Sequence, residues 1–349
     1  MSSPAIDILG CTSAAFVQRA SELGVRAPRS LAMYRNLFRT GAASTELAHI
    51  DVAPIANIQQ EFGTTKFIQR HADGLETESV VLPYRGSTGR PRNTLCVSSQ
   101  IGCAMGCTFC ETAQMGLMRN LTITQIVGQW FAARFSVNPE NPQPIDNIVF
   151  MGMGEPMDNL DSVIGAITVL CDQNGAAIPP ARISVSTVGR PAGILQLAAL
   201  TRQPGLRKLR LAVSINAPND EIRSRIMPIN KSAPMAALME AMLQWPTDGR
   251  QRVLIEYVLI PGVNDAPEHA DQLCDYLRPL KCTVNVIPYN PRRNSPWPAP
   301  SDEQVRSFVQ RVHERGQFVK RRQTLGRSVM AACGQLGNAA IRSRRLVGA

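Results

Sequence analysis

Two rhythms of apolar and polar residues divide this chain. In the first stretch apolar residues recur at helical spacing: Phe16, Val17, Ala20 and Leu23 before Gly24, then Leu31, Tyr34, Leu37 and Phe38 between Pro28 and Gly41. That spacing puts them on one helix face, and a proline inside the start with a glycine past the end marks the boundaries. A third segment around 50–62, broken by Pro54, extends the same reading. Residues 1–75 are therefore expected to form a small helical accessory domain of three or four helices.

From residue 76 the period shortens. Glu78-Ser-Val-Val-Leu-Pro83 and Thr94-Leu-Cys-Val-Ser98 read as strands, with turn residues Gly86 to Pro91 between them, so 76–95 is a strand-turn-strand linker. Thr122-x-x-Gln125 is a capping-box pattern that opens a helix running through Phe135. Strands at 147–151, 183–187, 209–214, 253–259 and 283–287 then alternate with helices at 161–171, 192–200, 235–245, 268–277 and 302–315. Six β/α units over 96–316 predict an α/β fold with a mostly parallel sheet, either doubly wound or an incomplete barrel. In both, ligands gather beyond the carboxyl ends of the strands. The loops at 96–116, 152–156, 187–191, 214–220 and 287–291 share that edge. The extension 317–349 holds a short strand candidate at 317–320, a Gly-rich loop around Cys333 and a basic end.

Composition narrows the setting. A hydrophobic content of 44% and a charged content of 18% belong to a folded chain, not a disordered one. No apolar run approaches the ~20 residues that span a bilayer. Met1 to Gly10 lacks the basic and apolar parts of a signal peptide, so a cytoplasmic location without a membrane anchor is expected. Nine cysteines in such a chain read as metal ligands or redox groups before disulfides. The net charge of +10 is clustered: Arg90 and Arg92; Arg207, Lys208 and Arg210; Arg292 and Arg293; Lys320, Arg321 and Arg322; Arg342, Arg344 and Arg345. Such clusters fit a phosphate-backbone partner, without separating RNA from DNA or an acidic protein.

The chemistry concentrates between Cys96 and Gly116, which holds four cysteines. Cys103, Cys107 and Cys110 are spaced Cys-x3-Cys-x2-Cys, with Gly102 and Gly106 just before ligand positions. Three thiolates on one compact loop suit a cubane iron–sulfur cluster with one iron left open. Structural zinc sites want four ligands in paired Cys-x-x-Cys units, and no second pair stands here. Met151-Gly-Met-Gly-Glu-Pro156 follows the next strand, offering close backbone approach and the Glu155 carboxylate for an ammonium group.

The cysteine loop resembles the signature of the radical S-adenosylmethionine superfamily. From about Leu75 to Leu336, and more loosely in the N-terminal stretch, the chain resembles its RlmN/Cfr family of RNA adenosine methyltransferases, and within it RlmN most. The resemblance is carried by Cys96 to Cys110, Thr112-Ala-Gln, Arg119-Asn-Leu-Thr, Gly152-Met-Gly-Glu-Pro156, Leu211-Ala-Val-Ser, Ala217-Pro-Asn-Asp, Asn285-x-Ile-Pro-Tyr-Asn-Pro291 and Ala331-Ala-Cys-Gly-Gln-Leu336. It implies a partial (β/α)6 radical-SAM barrel, a [4Fe-4S] cluster on Cys103, Cys107 and Cys110, and two S-adenosylmethionines per turnover. It also implies that Cys333 carries the methyl as S-methylcysteine, that Cys96 resolves the RNA adduct through a transient disulfide with Cys333, and that Glu78 accepts a proton. Gly154, Glu155, Ser186, Ser214, Ile215, Asn216 and Asn290 align with cofactor contacts. The implied partners are 23S rRNA, certain tRNAs and an external electron donor of flavodoxin or ferredoxin type, with the enzyme a monomer.

Two positions depart from the family. Asn216 stands where histidine is usual, and 326–330 reads Gly-Arg-Ser-Val-Met where an Asp-Ile pair is common, with Arg327 gained. The rival readings are a Cfr-type carbon-8 methyltransferase and a non-catalytic iron–sulfur RNA-binding or redox-sensing protein. Retention of both Cys96 and Cys333 argues against the latter. Cys171, Cys274 and Cys282 fall in helix or strand patterns and read as core thiols; His71, His269 and His313 lie outside any motif.

Overall fold

The computed structural model describes residues 5–42, 47–85, 89–247, 249, 251–323, 325–326 and 328–337. Part of the expected turn at 86–91, together with Arg327, Arg342, Arg344 and Arg345, lies outside the described residues.

Among the described residues one sheet holds ten strands in chain order. They are β1 (Ile55–Glu61), β2 (Thr64–Arg70), β3 (Glu76–Arg85), β4 (Pro91–Cys96), β5 (Asn147–Phe150), β6 (Ile183–Thr187), β7 (Arg210–Ser214), β8 (Val253–Leu259), β9 (Cys282–Pro288) and β10 (Val319–Arg321). β1 to β4 pair antiparallel, and β4 to β10 pair parallel. Helices cover the parallel part: α1 (Ser13–Glu22) and α2 (Ala27–Thr40) come from the N-terminal stretch. α3 (Ile123–Phe131), α4 (Leu160–Cys171), α5 (Pro191–Leu200), α6 (Met235–Leu243), α7 (Pro267–Leu277) and α8 (Asp302–Glu314) follow the strands. This is the expected α/β partial barrel.

Local chemistry sets these boundaries. Thr122 and Gln125 form the reciprocal capping box that opens α3, and Gly41 ends α2 in the left-handed conformation. Parallel strands bury both faces, and β8 accordingly is a nearly continuous apolar run. Glu256 is the exception: a carboxylate in mid-β8, 4% exposed. α1 and α2 dock through an aromatic row in which Tyr34 meets Phe16 and Phe38, and Phe38 stacks on Trp130 of α3 at 5.7 Å. Cys11 belongs to this contact, its carbonyl accepting from the Tyr34 hydroxyl at 3.1 Å.

One expectation is corrected. The third helix read at 50–62 is strand β1, and β1 and β2 extend the barrel sheet, so the stretch up to residue 75 is not all helical. Ile55, Ile58 and Phe62 imitate helical spacing, but β1 is an edge strand with mostly exposed side chains, so no buried face dictates its pattern. The signal lay at the turn. Phe62 and Gly63 both take positive φ, 44° and 82°, the geometry of a two-residue hairpin loop joining β1 to β2.

Candidate active site

A two-stranded hairpin, Gln100–Gly102 against Leu117–Asn120, ties off the cysteine loop at its base. Gly102 is required there: its φ is 75°, and a Cβ would fall 1.8 Å from the Gly116 carbonyl oxygen. The Cys103 N–H donates to that same carbonyl at 3.1 Å. Farther out, the Thr108 N–H donates to the Ile226 carbonyl at 3.0 Å, and Arg292 Nε to the Thr108 carbonyl at 2.9 Å. A short helix, Glu111–Gln114, follows Cys110, and Glu111 pairs with Arg293 at 3.2 Å.

Cys103, Cys107 and Cys110 line one cavity at the carboxyl ends of the strands, together with Gly154, Glu155, Ser186, Ser214, Asn216 and Cys333. The loops read as sharing one edge thus do meet. Three soft thiol donors around a volume fit an iron–sulfur cubane. Among the described residues no three His, Cys, Asp or Glu side chains close on a single-ion site. Two buried acceptors take no hydrogen bond: Glu256 Oε2 in the wall of this cavity, which faces Arg322 at 3.8 Å, and Asn290 Oδ1 in a neighbouring one. Burial holds the free cluster thiols protonated, Cys103 pushed up to about 12, so loading iron displaces protons.

Glu155 is almost fully buried. Its Oε1 accepts the Met157 N–H at 3.0 Å and its Oε2 the Val188 N–H at 2.8 Å. Burial nevertheless dominates and pushes the carboxyl up to about 7. The carboxylate keeps acceptor capacity for a cationic ligand.

The remaining expected residues separate. Asn216 sits at φ 56°, and its Oδ1 accepts the Val258 N–H at 2.9 Å, so the scaffold uses part of its polar capacity. Ile215 is fully buried and lines no described cavity; its carbonyl accepts from Arg223 Nε at 3.2 Å. Asn290 lines a neighbouring cavity, which Cys333 and Arg322 share with the first. Cys96 is buried at the end of β4. Its thiol is pushed up to about 12, by burial first and then by nearby Cys333, with Arg322 opposing. Glu78 lines neither cavity and lies in an ion pair with Lys66.

Arg322, Glu256 and Lys66 were not singled out in the sequence. Arg322 reads there as one of a basic surface run, yet its guanidinium turns inward, 3.8 Å from Glu256 Oε2, while Arg321 pairs with Asp302 at the surface. Arg292 and Arg293 likewise brace the cysteine loop instead of forming a free patch. The available signal was Glu256, one charge inside an apolar strand, which needs a cation or a donor nearby.

The matching family model is the Radical SAM superfamily, over residues 97–274. With the partial barrel and the three-cysteine loop, it defines a radical SAM enzyme. The chain is 39% identical to a probable dual-specificity RNA methyltransferase RlmN 1 of Protochlamydia amoebophila, over 99% of this chain and 98% of that protein. It is 41% identical to a dual-specificity RNA methyltransferase RlmN of Campylobacter jejuni, over 81% and 80%. A crystal structure of a radical SAM methyltransferase from Sphaerobacter thermophilus superposes with a TM-score of 0.86 at 35% identity, covering 95% of this chain and 99% of that one. The chain belongs to the RlmN family of radical SAM methyltransferases.

Proposed function

We propose that this enzyme methylates carbon 2 of adenosine in RNA, with 23S rRNA and some tRNAs as substrates, through a methyl carried on Cys333. The observation that supports it best is the position of Cys333, which lines the same cavity as Cys103, Cys107 and Cys110 and lies near Cys96. A structural thiol has no need of that place.

Cys103, Cys107 and Cys110 would hold the [4Fe-4S] cluster, and Glu155 would receive the cofactor's ammonium group. Gly154, Ser186, Ser214 and Asn216 line the space around them, and Asn290 offers its free Oδ1 from the adjoining wall. When bound, two molecules of S-adenosylmethionine and the reduced cluster supply a methyl group and a 5′-deoxyadenosyl radical. Cys333 holds the methyl as a thioether and presents its carbon to the adenine ring. That ring carbon is electrophilic, which excludes a polar methyl transfer and calls for the radical route. Glu78 takes the proton that leaves the ring carbon. Cys96, giving up its thiol proton, then attacks the Cys333 sulfur; the sulfur–carbon bond to the RNA breaks as the disulfide forms, and its electron pair with one proton completes the methyl group on the ring. While Cys96 stays buried and protonated it is a poor nucleophile, which delays this attack until the site rearranges.

The helical N-terminal stretch and the exposed basic residues grip the RNA in this reading. The enzyme acts as a cytoplasmic monomer fed by a flavodoxin- or ferredoxin-type donor. Nucleosides from cells with and without the gene, separated by mass spectrometry, test it. The expected result is 2-methyladenosine lost with the gene. Loss of 8-methyladenosine instead would make this a Cfr-type enzyme, and no change in either would remove the assignment.

A further inference from the structure

Glu78 sits behind the Cys333 loop. Its Oε2 takes the Lys66 ammonium at 2.8 Å and the Gly337 N–H at 3.0 Å. Lys66 is as deeply buried, at 4% exposure, and its Nζ also donates to the Met330 carbonyl at 3.2 Å. The register explains the meeting. Lys66 pairs with Val80 and Ile68 with Glu78, so Lys66 and Glu78 are diagonal neighbours on one face of the sheet. Val80 pairs in turn with Cys96, which puts that thiol on the same face.

A structural ion pair would tie strand to strand and stop there. This one reaches off the sheet on both sides of Cys333, holding Met330 from one charge and Gly337 from the other. A lysine so buried depends on its counter-charge, because an unpaired ammonium in an apolar setting is strongly disfavoured. Among the described residues Glu78 is the carboxylate that pairs with it.

We propose that Lys66 and Glu78 form a charge latch on the Cys333 loop, with Lys66 the positioning residue that couples release of the loop to protonation of Glu78. The inference rests on the roles given above to Cys333 and Glu78. With Glu78 ionised, the pair closes both ends of 330–337 and keeps Cys333 at the cavity. When Glu78 takes the proton from the ring carbon, one carboxylate oxygen gains the hydrogen that the carbon loses. The contacts to Lys66 and Gly337 then lose their charge-assisted strength. The loop is freed at the point where the Cys333 sulfur has to meet Cys96. Proton removal and adduct resolution are thereby ordered by one buried pair.

The test uses the full-length, cluster-loaded protein without RNA. Two rates are followed by mass spectrometry: alkylation of Cys333 by iodoacetamide, and formation of the Cys96–Cys333 disulfide under a mild thiol oxidant. Glu78→Gln keeps the side chain's shape and imitates its neutral form; Lys66→Met removes the cation; Lys66→Arg keeps it. Both rates should rise about tenfold in Glu78→Gln and Lys66→Met, the scale of one charge-assisted hydrogen bond. They should stay within about twofold of wild type in Lys66→Arg, which preserves the charge. Hydrogen exchange at the Gly337 amide should rise in Glu78→Gln while the core strands keep their protection, which also guards against a misfolded Lys66→Met. Wild-type rates and wild-type Gly337 exchange in Glu78→Gln would overturn the latch. Wild-type enzyme assayed for methylated adenosine separates the two claims. If it methylates while Glu78→Gln behaves as wild type, the latch alone fails. If it never methylates while the variants still free the loop, the functional reading fails and with it the coupling to proton removal, while the charge latch on the loop stands.

Discussion

The two cysteine loops that meet at the cavity are held by different means. The cluster loop is fastened largely through main-chain hydrogen bonds: a hairpin at its base, the Cys103 N–H on Gly116, and the Thr108 N–H on Ile226. The Cys333 loop keeps one main-chain bond to the cluster loop, from the Glu111 N–H to the Gly334 carbonyl at 2.7 Å, and is otherwise held by side chains gripping its backbone, with Lys66 on Met330, Thr112 on Leu336, and Glu78 and Arg293 on Gly337. Main-chain bonds persist whatever the protonation state of the site. The bond to the Glu78 carboxylate does not, since it is as strong as the charge behind it, and Lys66 depends on that same charge. In the proposed reaction the ligand loop has to stay still and the group carrier has to travel, and the difference in fastening suits those two tasks.

That contrast breaks most sharply at the cysteines. Cys107→Ala should abolish the visible absorbance of the reconstituted cluster and all release of 5′-deoxyadenosine, leaving the far-ultraviolet circular dichroism unchanged. Cys333→Ala should keep the cluster absorbance and abolish RNA methylation. A Cys107→Ala protein that still releases 5′-deoxyadenosine would refute the ligand assignment.

The scaffold under the fixed loop should be the next most sensitive. Arg223 is fully buried, and donates to the Ile215, Val188 and Ser214 carbonyls and to Asn230 Oδ1. Arg223→Met leaves those acceptors without a partner, each costing ~1–3 kcal/mol, so a loss of about 3–5 kcal/mol is expected in urea unfolding. A midpoint equal to wild type would show that water replaces the guanidinium.

A smaller effect should appear in pH. Burial pushes the Glu155 carboxyl up to about 7, and its anionic form is the one that would pair with an ammonium group. As pH falls through that value the carboxylate takes a proton and the attraction is lost. S-Adenosylmethionine should therefore bind about tenfold more weakly at pH 6 than at pH 8. In Glu155→Gln the affinity should be low at both values. An equal affinity of the wild-type protein at pH 6 and pH 8 would remove Glu155 from the ammonium site. The smallest effect is expected from Arg293→Ala, because its ion pair with Glu111 is half exposed on the arginine side; stability should fall by about 1 kcal/mol or less.

The sequence makes the periodic parts legible. Thr122 with Gln125 announces α3, apolar runs announce β5 to β9, and the glycine-flanked cysteines announce their own loop. These features are local, so spacing suffices to read them. β1 is not legible in this way, because an exposed edge strand carries no obligatory period and its Ile55, Ile58 and Phe62 mimic a helix face. Lys66 and Arg322 are missed for another reason. Both sit in polar surroundings along the chain; Lys66 becomes buried between Glu78 and the distant Met330, and Arg322 turns half-buried toward the distant Glu256. Only register and chain crossing reveal such charges as interior groups. Of the expected cofactor contacts, Ser186 and Ser214 reach the cavity from the ends of β6 and β7 and Gly154 from the loop after β5, whereas Ile215, one residue past Ser214, is buried in the core.

The methyl on Cys333 carries the whole account. Protein purified from cells, or incubated with reductant and S-adenosylmethionine, should yield on digestion a Cys333 peptide heavier by one methyl group, and that methyl should move to adenosine when RNA is added. Methylated RNA formed while Cys333 stays unmodified at every time point, or formed at the wild-type rate by Cys333→Ala, would contradict it.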